Sequence, residues 1–299
     1  MDFFQHQLQQ WTDWQAVMTS TATFEPLVRQ IYLSENDPFK ALEPVQSDFA
    51  ATFQVGGTQI AIFPPAVIAP TTRDRYQTER FSLARVKRLG LAAPLLRHAG
   101  FIFDRYQFYY VIYEPLMGVP LTNFKATAKP DVKQALGQQV GLMLTQLNGP
   151  VTSFNTMPTT TPSADDLWAD FGTDFVTERQ RFLAAHPVTP NQFVHGNLVG
   201  DNLVVMTGRI GLQHFETACQ GPRELELVPL ILDAFAGDSD FLHGLLASLG
   251  QLDLVEAVLF GLLWRADGPM WLDRLMPTAP TNLAAVRTAL TKLIKESKE

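Results

Sequence analysis

The sequence predicts an α+β fold in two parts: a small antiparallel-sheet lobe over residues 1–116, then a larger helical lobe over residues 117–299. Strand-like runs concentrate in the first third of the chain, and helical periodicity dominates the remainder. One short hairpin pattern interrupts the helical part. Hydrophobic residues make up 46% of the 299 residues, enough for a sizeable core.

The first lobe opens with two β-prone runs, residues 49–55 and 58–63, joined by a Gly-Gly pair that is typical of a hairpin. Residues 74–89 carry apolar side chains at helical spacing and predict one long helix. The aromatic and branched residues of 108–113 predict a further strand.

The second lobe is predicted to be mainly helical. A helix with a regular apolar stripe begins at Pro130, and a second helix is expected over residues 165–185. Residues 203–205 and 210–212 flank a short turn and predict the embedded hairpin. Residues 225–293 are helical again in pattern, with breaks at glycine and proline.

Composition and charge exclude several classes of protein. The net charge of −7 and a pI of about 5.4 argue against a nucleic-acid partner, which would favour a basic face. The longest apolar runs are far shorter than the roughly 20 residues that span a bilayer, so no membrane partner is expected. Cys219 is the only cysteine, which rules out an internal disulfide. With no signal-peptide pattern, these features predict a cytoplasmic protein.

The segment before the embedded hairpin carries the most informative motif. Residues 195–202 read His-Gly-Asn-Leu-Val-Gly-Asp-Asn, and residues 221–227 read Gly-Pro-Arg-Glu-Leu-Glu-Leu. Their order resembles the catalytic segment of the aminoglycoside phosphotransferase and choline kinase family. In that family His-Gly-Asp, four residues and Asn precede a strand that ends in Asp and an aromatic residue, here matched by Phe215.

The resemblance extends into the first lobe. Residues 55–65 look like the family's third strand, residues 76–79 like the start of its regulatory helix, and residues 112–121 like its lobe connector. The ordered set covers roughly residues 44–235. It implies a two-lobed protein-kinase-like fold, with ATP and magnesium as cofactors and a small-molecule ligand in the cleft between the lobes.

Carried over position by position, the resemblance places altered residues at the chemical centre. Asn197 stands at the catalytic Asp position, beside His195, and a neutral amide cannot act as a general base. Asn202 matches the metal-binding Asn. His214 stands at the second metal-binding Asp position, where an imidazole suits magnesium poorly. Glu216 is a spare carboxylate that would have to replace it as a metal ligand.

The phosphate-gripping positions are altered too. Ala61 falls where the family has a strand Lys, and Glu79 is the helix Glu that would brace that Lys. Residues 46–51 contain no glycine, so the glycine-rich phosphate cover is absent. Each residue also has a structural interpretation. His195 and His214 would fix loops through hydrogen bonds, and Glu79 would pair with a cation such as Arg75.

We therefore expect a catalytically impaired pseudokinase with a ligand-binding or regulatory role. The alternative is an active ATP-dependent small-molecule phosphotransferase that acts on a hydroxyl acceptor with unusual catalytic residues. A third possibility is that the former acceptor cleft binds a small ligand without chemistry. Acidic residues in the helical lobe would suit a cationic ligand, but they are equally expected on the surface of an acidic protein: Asp238, Asp240, Asp253, Asp267 and Asp273.

Overall fold

The computed structural model describes residues 2–295. The chain divides into two compact units, Met1–Leu116 and Met117–Glu299. The first contains an antiparallel sheet with helices, and the second is mostly helical with small sheets. The α+β fold class predicted from the sequence is confirmed.

The first unit contains eight elements among its described residues. In chain order they are α1 (Trp11–Val17), α2 (Thr21–Ser34), β1 (Leu42–Val45), β2 (Ala51–Val55), β3 (Thr58–Ile62), α3 (Thr72–Arg88), β4 (Leu95–Phe103) and β5 (Gln107–Glu114). The strands form one sheet in the order β1-β2-β3-β5-β4, and all neighbouring pairs are antiparallel. The predicted hairpin is present, with Val55 paired to Thr58 across the glycine turn.

Alternation along the strands gives this sheet two apolar faces. On one face, Ile60 and Ile62 of β3 join a buried cluster with Phe24 of α2 and Trp14 of α1. On the opposite face, Ala61 lies in a second cluster with residues of α3 and β5. Because side chains alternate along a strand, one strand supplies both clusters.

The helices α1 and α2 lie outside every element predicted from the sequence. The prediction of one long helix in this lobe was therefore incomplete. Polar residues are mixed through both segments, which weakens the helical signal, and Pro26 lies inside α2. Packing against the sheet supplies the stabilisation that local propensity does not.

The second unit begins with β6 (Val119–Pro120), α4 (Leu121–Phe124), α5 (Pro130–Leu147) and α6 (Thr173–Ala185). It continues with β7 (Gln192–Val194), β8 (Leu203–Met206), β9 (Arg209–Leu212), β10 (Cys219–Gly221) and α7 (Leu227–Pro229), and ends with α8 (Ser239–Leu249), α9 (Leu254–Trp264), α10 (Gly268–Leu275) and α11 (Leu283–Lys295). The predicted hairpin is β8–β9, to which β6 adds a third strand, while β7 pairs with β10.

The helix expected over residues 165–185 is divided in two. A 3₁₀ helix covers Asp165–Phe171, and α6 begins only at Thr173. Gly172 separates them with φ of +87° and ψ of 161°, a conformation that is outside the helical region and readily open only to glycine. Apolar residues continue at helical spacing on both sides of Gly172, so periodicity alone does not reveal the break.

Among residues 2–295 no single helix is long and apolar enough to cross a membrane. The helices α8 and α9 together reach that length and apolar composition, but the chain bends by 93° between them.

The helices α5 and α8 pack along each other at close range. Glycines make this approach possible, because a Cβ at Gly244 would overlap the carbonyl oxygen of Gln134. A Cβ at Gly137 would likewise overlap the carbonyl oxygen of Phe241. Each helix therefore contributes a glycine that lets the other backbone approach it.

We predict that Gly244→Ala lowers the free energy of unfolding by about 2 kcal/mol, because overpacking outweighs the better helix propensity of alanine. Urea denaturation monitored by circular dichroism measures the change. The matched control is Gly57→Ala, since a Cβ there meets nothing within 4 Å. The control is expected to stay within about 0.5 kcal/mol of the wild type. Equal stability of both variants would contradict the close-packing argument.

Candidate functional site

The candidate site is the loop of residues 195–202, which runs from β7 to β8. A 3₁₀ turn, Gly200–Asn202, closes the loop immediately before the β8–β9 hairpin. Both flanking strands are paired, β7 with β10 and β8 with β9. The loop is thus held at both ends by backbone ladders.

His195 fixes the interior of the loop. Its side chain is fully buried, and its Nε2 donates to the backbone oxygen of Gln213 at 3.0 Å. The backbone N–H of Asn197 donates to Nδ1 at 3.3 Å. Burial lowers the pKa of His195 to about 4, so the ring is neutral near pH 7. These contacts favour the loop-fixing interpretation of His195 over acid–base chemistry.

Gly196 is required by its surroundings. Its φ is +85°, and a Cβ would lie 2.5 Å from the carbonyl oxygen of Thr217. Any other residue would be strained and would also collide with the backbone. The chain therefore passes close to the segment after β9 at this point.

The buried carboxylate of Glu226 holds the backbone of the loop. It accepts hydrogen bonds from the N–H of His195, from the N–H of Gly196 at 3.3 Å, and from Nδ2 of Asn148 at 3.3 Å. Burial raises the pKa of Glu226 to about 7, although the three donors act in the opposite direction. The carboxylate is thus a structural group that binds two successive loop amides.

Arg265 holds the opposite side of the same peptide segment. Its guanidinium donates to the carbonyl oxygens of Gly196 at 3.0 Å and Leu225 at 2.9 Å. Two further hydrogen bonds, at 2.6 and 2.7 Å, join it to Asp267. Such bidentate pairs fix both position and orientation.

The end of the loop is fixed in the same way. The N–H of Gly200 donates to Oδ1 of Asp233 at 2.8 Å. Lys125 donates to the backbone oxygens of Asp233 and Ala234, in a short π-helical segment, Leu230–Ala234. Side chains distant in sequence therefore position the whole loop.

The structure brings Asn197 and Asn202 together. Asn202 is buried, and its Nδ2 donates to the backbone oxygen of Asn197 at 2.8 Å. Its own backbone oxygen accepts from the N–H of Gln213 at 3.1 Å. Since the amide nitrogen of Asn202 is engaged, Oδ1 is the atom left to act as a ligand. The Asn197 side chain is half-buried.

His214 follows Gln213 and so lies next to this pair. Its φ of +65° places it in the left-handed region, which His, Asn and Asp enter more readily than most residues. Phe215 is fully buried and packs against the His195 ring, with centroids 4.6 Å apart. Glu216 is half-buried. Within residues 2–295 no group of three or more His, Cys, Asp or Glu residues is arranged to hold a metal ion.

Ala61 and Glu79 belong to the first unit. Ala61 is 7% exposed and lies in the same cluster as Tyr76 of α3, on the face opposite Ile60 and Ile62. Glu79 is also buried and lies one turn after Tyr76 on α3. A side chain at position 61 therefore points to the sheet face that α3 covers.

Five aspartates of the helical lobe would suit a cationic ligand by their charge, and four of them make hydrogen bonds within the protein. Asp238 accepts from Lys133 at 2.6 Å and caps α8, and Asp253 caps α9. Asp240 accepts from Gln134 at 3.1 Å, and Asp267 pairs with Arg265. Four of the five carboxylates thus have structural roles, which does not favour a cationic ligand.

Glu226, Arg265 and Asp233 were not identified from the sequence as site residues. Glu226 lies within the Gly-Pro-Arg-Glu-Leu-Glu-Leu run, so its place in that motif could have identified it as a site residue. Arg265 lies 69 residues after Gly196, and no local pattern links the two.

We predict that Glu226→Gln changes how stability depends on pH. The folded protein retains the Glu226 proton up to about pH 7, whereas the unfolded chain loses it near 4.5. The contribution of this group to stability is therefore complete below pH 4.5 and is lost as the pH rises through 7. The free energy of unfolding of the wild type relative to the variant should fall by about 3 kcal/mol across that window.

The neutral His195 changes the pH dependence of stability in the opposite direction to Glu226. Its contribution is complete above its ordinary pKa of 6.5 and is lost as the pH falls through about 4. The two contributions largely cancel in the wild type between pH 4.5 and 6.5, and Glu226→Gln should expose the slope due to His195. Urea titrations across this range test the expectation, with Glu25→Gln as control, since the Glu25 side chain is half-exposed on α2. Parallel curves for wild type and Glu226→Gln would contradict it.

Comparison with solved structures identifies the same architecture in known proteins. The GDP complex of wild-type aminoglycoside 2′-phosphotransferase-IIIa superposes with a TM-score of 0.61 at 17% identity, covering 91% of this chain and 97% of that chain. A GDP and kanamycin complex of an aminoglycoside phosphotransferase gives 0.58 at 16%, covering 91% and 98%. A complex of amicoumacin kinase with AMP-PNP, Ca²⁺ and Ami gives a TM-score of 0.58 at 13% identity, covering 88% of this chain and 92% of that chain.

Identities this low establish the fold alone. No curated protein matches the chain. The sequence model described as "Phosphotransferase enzyme family" matches residues 41–260, which is most of the chain and includes the loop of residues 195–202. The chain therefore belongs to the phosphotransferase enzyme family.

Proposed function

We propose that this chain is a catalytically impaired member of its family, a pseudokinase that retains the fold for binding a small molecule or for regulation. The observation that carries the proposal is a contrast within one loop. The groups that hold the loop are complete: His195, Glu226 and Arg265 are buried or paired as described. The positions that the family resemblance assigns to proton and metal chemistry hold Asn197 and His214 instead of two aspartates.

The first argument concerns the general base. Asn197 carries a neutral amide, which cannot accept the proton of an attacking hydroxyl group. General-base catalysis contributes about 10²–10⁴-fold to the rate. With this term missing, a family member that otherwise turns over at roughly 1–100 per second would be slowed by orders of magnitude.

The second argument concerns the fit of magnesium. Mg²⁺ prefers oxygen ligands and near-octahedral geometry. At this site Asn202 has one amide oxygen available, and His214 replaces a carboxylate with an imidazole. The donor set of Asn202 and His214 does not fit a magnesium–nucleotide complex.

The third argument concerns the phosphates. Phosphoryl transfer depends on cations that neutralise the phosphate oxygens. At the position that the resemblance gives to the gripping Lys, Ala61 offers a methyl group within an apolar cluster. ATP would lose this charge compensation, so we propose that a ligand other than magnesium-bound ATP is the physiological one.

The class of ligand is taken from the relatives. Their solved complexes contain GDP, kanamycin, AMP-PNP and an amicoumacin-kinase ligand, all small molecules. A small molecule is therefore the proposed partner of this chain. The internal pairing of Asp238, Asp253 and Asp267 weighs against selecting a polycationic one.

A second candidate function is active ATP-dependent phosphotransfer to a hydroxyl group. The half-buried carboxylate of Glu216 favours it, because this residue lies two positions after His214 and offers hard oxygen ligands. The fixed geometry of the loop would preserve orientation, which is a large part of catalysis. Nucleotide binding separates the two candidates.

We predict that millimolar ATP with magnesium produces little change in the melting temperature of the wild type. A ligand present at 100 times its Kd stabilises a protein by about 2.7 kcal/mol, which a thermal-shift assay readily detects. The assay is run with ATP alone, with magnesium alone and with both. A shift that requires both and disappears in Glu216→Gln would contradict the proposal and support the second candidate.

We also predict that Asn197→Asp alone does not restore transfer, because groups that act as a unit gain little from the repair of one member. The triple variant Ala61→Lys, Asn197→Asp and His214→Asp has the better prospect. The new Lys would point to the sheet face covered by α3, which carries Glu79. An aspartate also tolerates the left-handed conformation at position 214.

The measurement is ATP turnover with water or amino alcohols as acceptors, together with nucleotide binding by each variant. Binding reports repair of the nucleotide site even if the acceptor site has changed. Robust turnover by the wild type would show that the impaired assignment is wrong.

A further inference from the structure

The first unit carries a second feature that the proposed function does not use. A groove of about 530 Å³ lies between α3 and the strands β4 and β5. We call it the α3–β4 groove and define it by Arg73, Tyr76, Gln77, Arg80, Phe101 and Tyr109. All of these residues lie within the first unit, remote in sequence from the loop of residues 195–202.

The floor of the α3–β4 groove is aromatic. The rings of Tyr76 and Tyr109 stack with centroids 4.8 Å apart, and Phe101 contacts Tyr109 edge-on at 6.2 Å. Phe101 is 53% exposed, and the adjoining Phe103 is 72% exposed. Two large aromatic side chains next to each other at a surface are unusual unless something binds there.

The wall formed by α3 is cationic. Arg73 and Arg80 are both exposed and lie seven residues apart, so they are on one side of the helix. Neither makes an ion pair with any described residue, and Arg80 lies 5.3 Å from the Tyr76 ring centroid. In a chain with net charge −7, this is positive charge without a carboxylate partner among the described residues, beside the aromatic rings of the groove floor.

The adjoining strand adds a third feature. β4 is at the end of the strand order, so one of its edges pairs with no other strand of this sheet. An exposed edge of this kind can accept an extended segment from another chain. Phe101 and Phe103 project from the same strand, on the side that carries Tyr109.

From these three features we propose that the α3–β4 groove docks an acidic, aromatic-containing segment of a partner protein. Carboxylates of the segment would pair with Arg73 and Arg80, since guanidinium groups bind carboxylates in bidentate geometry. Its aromatic side chain would cover Phe101 and Tyr109, and aromatic and arginine residues are those that dominate binding at protein interfaces.

Single-stranded nucleic acid is the competing occupant, because it too binds aromatic rings and cations. Such binding follows a continuous basic track along many phosphates. The groove offers two arginines on an acidic protein, which favours a short acidic peptide.

The test uses fluorescence anisotropy with a labelled synthetic peptide of alternating glutamate and phenylalanine. The groove variant is the double change Arg73→Glu and Arg80→Glu. The control is Lys87→Glu with Arg88→Glu, which makes the same change of charge on exposed residues of the same helix. Melting temperatures verify that both variants are folded.

We expect saturable binding by the wild type, weakened at least about tenfold in the groove variant and less than about twofold in the control. Phe101→Ser should weaken binding by about threefold or more, and an all-glutamate peptide should bind the wild type less tightly than the mixed peptide. Equal losses in both double variants would overturn the proposal. So would the absence of binding by the wild type, or tighter binding of a single-stranded RNA oligonucleotide than of the peptide.

Discussion

The backbone around Gly196 is held from two sides, by the carboxyl group of Glu226 and by the guanidinium of Arg265. The carboxylate of Glu226 accepts from the N–H groups of His195 and Gly196, and the guanidinium of Arg265 donates to the Gly196 oxygen. The glycine itself is compelled by its positive φ and by the nearby Thr217 oxygen. Because buried polar groups are costly when left unpaired, removal of Glu226 would deprive the N–H groups of His195 and Gly196 of their acceptor, and removal of Arg265 would deprive the Gly196 oxygen of its donor.

The residues that fix the shape of the loop are different from the residues at its proton and metal positions. Glu226, Arg265 and His195 act on backbone atoms, so their contacts do not depend on which side chain follows at position 197. The backbone N–H of residue 197 donates to Nδ1 of His195 whether the side chain is Asp or Asn, so this hydrogen bond does not depend on the difference. The loop can therefore persist in shape after its proton and metal chemistry is lost, which is the physical basis of the proposed pseudokinase.

Local patterns identified much of the fold but only part of the site. The Gly-Gly turn between β2 and β3, and the apolar spacing of α3, correspond to short-range signals and were predicted from them. The division at Gly172 was missed because the apolar period continues across it. The helix α1 was missed because its stability comes from the buried Trp14 against a sheet formed later in the chain.

For the candidate site, local sequence patterns identified some residues and could not identify others. Asn197, Asn202 and His214 were identified because their motif occupies 20 consecutive positions of the sequence. Arg265 could not be found in this way, because it stands at the C-terminal end of α9 and reaches Gly196 only through the tertiary fold. A contact between residues 69 positions apart produces no periodic pattern in the sequence. Nothing in the sequence distinguishes Arg265 from the other arginines.

The helix α3 takes part in both proposals. Tyr76 and Glu79 turn toward the sheet and are buried, while Arg73 and Arg80 remain exposed beside the outer strands. Tyr76 belongs to both, since it lies in the buried cluster that contains Ala61 and also forms the floor of the α3–β4 groove. A partner segment in that groove would contact a ring that also lies in the Ala61 cluster, so the two proposals meet at this one side chain because Tyr76 lines both the cluster and the groove.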